Sequence, residues 1–296
     1  MTKSAADMPL TPPIASLLDQ FHARKPARIW SLIVTLYGDA IVPRGGALWI
    51  GSLIEIMALF GIDAGHVRTA VSRLSSDGWL SSTKRGRASY YRLSHVGEDE
   101  FLQATQRIYS SIPVRQDTLR VVLMGPAVTD AAALRTQLKA AGFAPVSPVI
   151  HVGLGSPPSQ LQNTGLFVLT PEDKDRRALA AAAWRLDEMA QAYRDFIAQF
   201  SPLAALLDKQ ALKDDEALVA RTLLIHAFRR VVLRDPALPA DLLPQDWGGE
   251  AARALAARIY AGVVAPSERF LDARGQNELG PLPPPQDARF HERFSN

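Results

Sequence analysis

Two short runs of this 296-residue chain carry side chains suited to gripping a polyanion. In the first, His66, Arg68, Thr69, Ser72 and Arg73 lie close together; in the second, Lys84, Arg85 and Arg87 surround a single glycine, Gly86. Guanidinium and hydroxyl groups hydrogen-bond base edges and phosphate oxygens, and lysine adds a point charge. Charge distribution points the same way. Between Arg24 and Arg92 there are ten Lys or Arg against four acids, a net +6 on a chain whose total is +3. A basic segment of domain size suggests nucleic acid first and a membrane surface second. Taken alone, both runs also fit solvated polar surface.

Other constellations are weaker. His226 with Arg229 and Arg230 could bind a phosphate or CoA group, because paired guanidiniums recognise phosphate; an interior histidine beside interdomain ion pairs is the alternative. Asp214, Asp215 and Glu216 suit a helix N-terminus better than a metal, and Trp184, Tyr193, Phe196 and Phe200 suit a core better than a ligand cage. Gly153-Leu154-Gly155 is too short for a phosphate loop. The chain has no Cys, which excludes disulfides, thiolate metal sites and cysteine nucleophiles. The expectation is a protein without catalytic activity, cofactor or metal. No apolar run reaches the ~18 residues of a membrane span and no secretory pattern opens the chain, so a soluble cytoplasmic protein is expected, with no membrane partner.

The elements that must position these groups follow from periodicity. Hydrophobic residues at 47% and charged residues at 21% describe a folded chain, long enough for two or three domains. After a loose arm with at most a helical turn (1–23), Ile29, Leu32, Ile33, Leu36 and Tyr37 predict an amphipathic helix stopping near Gly38. Trp49 to Phe60 predicts a second, closed by Gly61. A third runs from Ala64 to Asp77, capped by Asp63, with Val67, Ala70, Val71 and Leu74 inward and the polar run outward. Trp79–Thr83 and Ala88–Leu93 read as a hairpin with a cationic tip. Three helices and a basic ribbon make a winged helix-turn-helix, whose third helix fits the major groove while the wing reaches phosphates.

Beyond it, the order strand (119–124), helix (130–141), strand (148–154), strand (165–170) suits a ferredoxin-like α+β domain. Residues 171–273 read as helices separated at Pro202, Pro236, Pro239 and Pro244, and 274–296 as an extended Pro-rich tail. The expected fold is therefore helix-rich α+β: a winged helix-turn-helix (24–111), a ferredoxin-like domain (114–170), a helical domain (171–273) and the tail.

The run Leu32-Ile33-Val34-Thr35-Leu36-Tyr37-Gly38-Asp39, continued by Val42-Pro43-Arg44-Gly45-Gly46, Phe60-Gly61-Ile62, Asp77-Gly78-Trp79-Leu80 and Ser89-Tyr90-Tyr91, resembles the PaaX family, the bacterial repressors of phenylacetic acid degradation operons. Leu223-Leu224-Ile225-His226 with Arg229-Arg230, then Asp235-Pro236 and Asp246-Trp247, resembles its C-terminal domain. Ala227-Phe228 departs from the family, which more often has an acid and a Tyr there. The resemblance implies a homodimeric repressor that binds double-stranded DNA and is released by an aryl-CoA thioester, typically phenylacetyl-CoA. Two other readings stay open: a winged-helix adaptor for effectors or proteins that does not bind specific DNA, and a metal-dependent nuclease. The second arises because the middle segment is similar in order to a CRISPR-associated nuclease family; that chemistry needs an Asp at the end of the first strand. The nearest acids are Asp117 and Asp130.

Overall fold

The computed structural model describes residues 10–23, 29–110, 118–157, 159–161 and 165–295, without the side chains of 99, 100, 103 and 160. Arg24, Lys25, Arg28, Asp117 and residues 112–113, between the first two expected domains, fall outside the described residues. Two compact units divide the chain: Met1–Ser111, Asp195–Leu233 and Glu250–Asn296 form one, and Ile112–Arg194 and Arg234–Gly249 the other. The stretch 171–273, read from sequence as one domain, thus contributes to both.

Within the expected loose arm, the chain forms a full helix, α1 (Pro12–Ala23), while residues 1–9 lie outside the described residues. Proline is tolerated in a first helical turn, where N–H groups lack acceptors anyway. Ile14, Leu17, Leu18 and Phe21 are buried, each contributing about 1.5–3 kcal/mol. They pack on α9 (Asp214–Val232), whose Glu216 accepts hydrogen bonds from the backbone and side chain of Thr11 at 2.6 and 2.7 Å.

Helix α2 (Ile29–Leu36) does not stop at Gly38. It runs into a π turn, Tyr37–Ile41, and a 3₁₀ turn, Val42–Arg44, which ends at Gly45 with φ 89°. Gly38 is needed for closeness rather than termination, since a Cβ there would lie 2.1 Å from the Phe101 ring. Strand β1 (Leu48–Trp49) precedes α3 (Ile50–Ala58) and α4 (Ala64–Ser76); β2 (Leu80–Arg85) and β3 (Ala88–Leu93) follow, in the sheet order β1-β3-β2. Helix α5 (His95–Tyr109) closes the module, with the Ser94 hydroxyl accepting from the Gly97 N–H.

The expected C-terminal helices form as α7 (Asp173–Trp184), α8 (Leu186–Leu207), α9 and α10 (Gly249–Arg274). Pro202 lies inside α8 and does not break it; the neighbouring Phe200, Leu203 and Ala204 are buried, so packing offsets the lost backbone bond. The tail is not an extended arm. It folds as a short hairpin, β8 (Gln276–Asn277) and β9 (Gly280–Pro281), then α11 (Ala288–His291), with Leu282 and Phe290 buried.

A buried charge network unites this unit. Asp39 receives hydrogen bonds from Arg221 Nε (2.6 Å), Tyr109 Oη (2.5 Å), Tyr260 Oη (3.0 Å) and Arg293 Nη1 (3.0 Å). Arg221 also donates to Ser267 and Glu268, and Glu268 pairs with the buried Arg44. The π turn, α5, α9, α10 and the tail therefore meet at one carboxylate.

The second unit holds a four-stranded antiparallel sheet of β4 (Leu119–Met124), β5 (Ala144–Pro145), β6 (Ile150–Leu154) and β7 (Leu166–Leu169), in the order β5-β6-β4-β7. That is the strand order of a ferredoxin-like sheet. Helix α6 (Ala131–Ala140) covers one face through Leu134, Leu138, Val122 and Met124. Helix α7 follows the last strand and brings Ala180 and Ala183 against Leu119, Val152 and Leu154. Alternation along β4 puts these two sets on opposite faces. Tyr193, one of the aromatic anchors, donates to Asp235 at 2.6 Å and packs edge-on against Trp247.

Candidate nucleic-acid interface

Asp63 caps helix α4. One carboxylate oxygen accepts from the Gly65 and His66 N–H groups at 2.8 and 3.1 Å, and the other meets the His66 ring. The bond from His66 holds the Asp63 carboxyl below its usual range. Val67, Ala70, Val71 and Leu74 are buried as a single stripe. His66, Arg68, Thr69, Ser72 and Arg73 are therefore all turned to solvent, and all five are exposed.

Few internal bonds occupy this exposed face. Thr69 Oγ donates to the Gly65 carbonyl at 3.0 Å, and Arg73 lies 3.5 Å from Asp77. An exposed pair of this kind is worth at most about 1 kcal/mol, so Arg73 can exchange Asp77 for another acceptor at little cost. His66 is committed to Asp63 and serves the cap first.

The basic hairpin forms with Arg85 opposite Ala88 and only Gly86 and Arg87 in the turn. Gly86 has φ 60°, the glycine-first geometry of primed two-residue turns. Lys84 and Arg85 thus belong to the strand rather than the tip, although Lys84, Arg85 and Arg87 are all exposed. The tail engages one of them: Arg85 Nη1 donates to the Glu278 carbonyl at 2.6 Å, while the Glu278 carboxylate pairs with Arg92. Lys84 and Arg87 make no ion pair among the described residues.

Between α4 and the hairpin runs a groove of about 570 Å³ lined by Arg68, Ser72, Ser75, Ser76, Ser82, Ser89 and Tyr91, among others. Five serine hydroxyls and a guanidinium suit a sugar-phosphate backbone, to which half or more of protein–DNA hydrogen bonds run. Of this set the sequence picks out Arg68 and Ser72 as contacts and places Ser76 on the same outward face of the helix. The serines closing α4 are visible as Ser75-Ser76, but their convergence with Ser82 and Ser89 depends on the register Ser82↔Tyr91 and Lys84↔Ser89.

The second candidate cluster is not brought together as one anion cradle. His226 is buried, its Nδ1 3.2 Å from Thr35 Oγ1. Arg229 is half-buried and donates to the Ser31 carbonyl and hydroxyl at 3.0 and 2.5 Å, whereas Arg230 is exposed. Asp214 and Glu216 are engaged by Arg269 and Thr11. Asp130 caps α6, accepting from Ala132 and Ala133 at 3.1 and 2.9 Å.

Residues 28–97 match the family model of the PaaX-like protein and residues 184–273 that of the PaaX-like protein C-terminal domain. Over 282 residues the chain is 35% identical to the Transcriptional repressor PaaX of Escherichia coli (strain K12), covering 89% of each chain. The chain belongs to the PaaX family. Among solved structures it is similar to the Uncharacterized protein Rv0674 from Mycobacterium tuberculosis, at 22% identity, a TM-score of 0.47 and coverage of 73% of this chain and 88% of that one. In this PaaX-family chain the first matched segment contains all of α4 and the hairpin, and the second contains all of α9. Among the described residues no helix is long and apolar enough to cross a membrane.

Proposed function

We propose that this chain is a DNA-binding transcription repressor of an aromatic, phenylacetate-type catabolic operon. The observation that carries the reading is the exposed polar face of α4, sharing a serine-lined groove with a cationic hairpin. A helix of this width enters the major groove, where Arg68, Thr69, Ser72 and Arg73 meet base edges or phosphates, while Lys84, Arg85 and Arg87 take the neighbouring backbone. The test is titration of a duplex from the gene's own promoter against a scrambled duplex. Preference for the promoter of tenfold or more supports the reading; equal affinity, or none, favours a winged-helix adaptor. Magnesium-dependent cleavage of bare DNA would instead favour the nuclease.

The hairpin carries its own expectation. Neutralising Lys84 and Arg87 together to Gln weakens promoter and scrambled duplexes alike and lowers the slope of log K against log salt by about 1.8, at ~0.9 for each phosphate no longer neutralised. Weakening confined to the promoter would make these residues base readers.

A homodimer matches palindromic half-sites. Its support is strand β7, which ends the sheet order, with Phe167, Val168 and Leu169 55%, 45% and 54% exposed. An apolar edge with unpaired backbone groups is a template for another strand, and a second copy supplies an identical one. Phe167→Asp with Leu169→Asp is expected to halve the mass in sedimentation equilibrium; an unchanged mass removes β7 from the interface.

Relief of repression by an aryl-CoA thioester, such as phenylacetyl-CoA, completes the reading. Such a ligand must bind the non-DNA-binding arrangement more tightly, and the difference in affinity sets how far it shifts the equilibrium.

A further inference from the structure

Within the first unit, α2, α5 and α9, with the π turn and Trp79, line a partly open cavity of about 200 Å³ that no step above uses. Its walls are Val34, Ala104, Ile108, Ile225 and Leu233 with three aromatic side chains, Trp79, Phe101 and Tyr109. An apolar cavity of ~150 Å³ already accepts benzene, so this one holds an aromatic ring with a short side chain. It cannot contain a nucleotide as well.

Three polar residues complete the lining: Thr35, Asp39 and Arg229. The first two are engaged. Thr35 donates to the Ser31 carbonyl at 2.9 Å and faces His226, while Asp39 is surrounded by two arginines and two tyrosines. Arg229 differs. Its Nη2 reaches Ser31, but its Nε is buried with no hydrogen-bond partner, and no carboxylate among the described residues pairs with it. A buried donor without an acceptor is a standing cost that a ligand oxygen removes. Burial also depresses the guanidinium to about 10, with Tyr109 opposing and Arg230 reinforcing the shift; it remains a cation at neutral pH.

We propose that this cavity is the seat of the effector's acyl part, an aryl group with one carbonyl or carboxylate oxygen directed to Arg229, any bulky carrier staying outside. The proposal rests on the effector reading above and adds the site. It also supplies a route to DNA. Trp79 joins α4 to the hairpin: its N–H bonds the Leu74 carbonyl at 2.8 Å, and its carbonyl accepts from Ser94 N–H, the cap of α5, at 2.9 Å. Gly97 lets α5 approach this carbonyl, since a Cβ there would lie 2.8 Å from it. A ring pressed on the indole therefore acts where the reading helix meets the wing.

The test is calorimetric titration of the full-length chain with phenylacetate, phenylacetyl-CoA and CoA alone, in wild type, Ala104→Phe and Arg229→Gln. Ala104→Phe fills the cavity and is expected to weaken phenylacetyl-CoA at least tenfold, and Arg229→Gln about tenfold, with CoA alone binding weakly and equally to all three. Wild-type affinity in a folded Ala104→Phe overturns the proposal. Should that variant fail to fold, Trp79→Phe decides. The ligand-induced change in tryptophan emission is expected to vanish with Trp79, and its survival in full overturns the site. Release of promoter DNA by the thioester from wild type and Ala104→Phe alike sinks the cavity while leaving the effector reading intact. Cavity-dependent binding without DNA release does the reverse.

Discussion

Asp39→Ala lowers the free energy of unfolding by about 3–5 kcal/mol, the cost of breaking a buried ion pair by removing one partner. Arg221 and Arg293 both pair with this carboxylate, and their side chains are withdrawn from solvent with it. Alanine leaves two guanidiniums, Tyr109 Oη and Tyr260 Oη in the interior around a missing acceptor. Urea unfolding at pH 7 measures the effect; a change below about 1 kcal/mol would mean that the network is dispensable. Burial pushes the Asp39 carboxyl up, but Arg221, Arg293 and the hydrogen bond from Tyr109 outweigh it and hold the group below its usual range. A carboxyl whose pKa is lower folded than unfolded stabilises fully above the unfolded value, ~3.9, and loses that stability as pH falls through the folded value. Wild type should therefore lose more stability than Asp39→Asn on acidification below about pH 4.

Arg68→Ala and Arg73→Ala are each expected to weaken promoter binding by about 1–3 kcal/mol, the value of one bidentate base interaction, and to relax sequence preference at the position read. Both side chains are exposed on α4, and Arg73 gives up only its solvent-exposed pair with Asp77. Stability should therefore stay within about 0.5 kcal/mol of wild type, which separates impaired DNA recognition from impaired folding. Anisotropy titration measures the affinity; two variants that bind like wild type would remove α4 from the interface.

Helix α4 and the hairpin were legible because each has a local cause. Asp63 caps α4, Val67, Ala70, Val71 and Leu74 repeat at helical spacing, and Gly86 permits the turn, so α4 and β3 lie within a residue of their expected spans. Features that depend on distant partners were not. Gly38 reads as a stop until the Phe101 ring is seen against it, 63 positions along the sequence. The Pro-rich tail reads as extended because the Asp39 carboxylate that receives Arg293 lies 254 residues away. His226 and Arg229 look like an anion-binding pair in sequence, yet one faces Thr35 and the other Ser31, both on α2. For the same reason the cavity has no sequence signature: its walls come from three helices and the turn before β2.

Contact of α4 and the basic hairpin with one and the same duplex is tested most directly by cleavage from the protein. Because the chain has no native Cys, Ser72→Cys and Arg87→Cys each place a single thiol, and an iron chelate attached there cuts nearby DNA on addition of peroxide and ascorbate. Cuts from position 72 centred on the promoter half-site, with cuts from position 87 on the flanking backbone, are the expected result. Cleavage from neither position, by protein that still binds the promoter, would contradict the account.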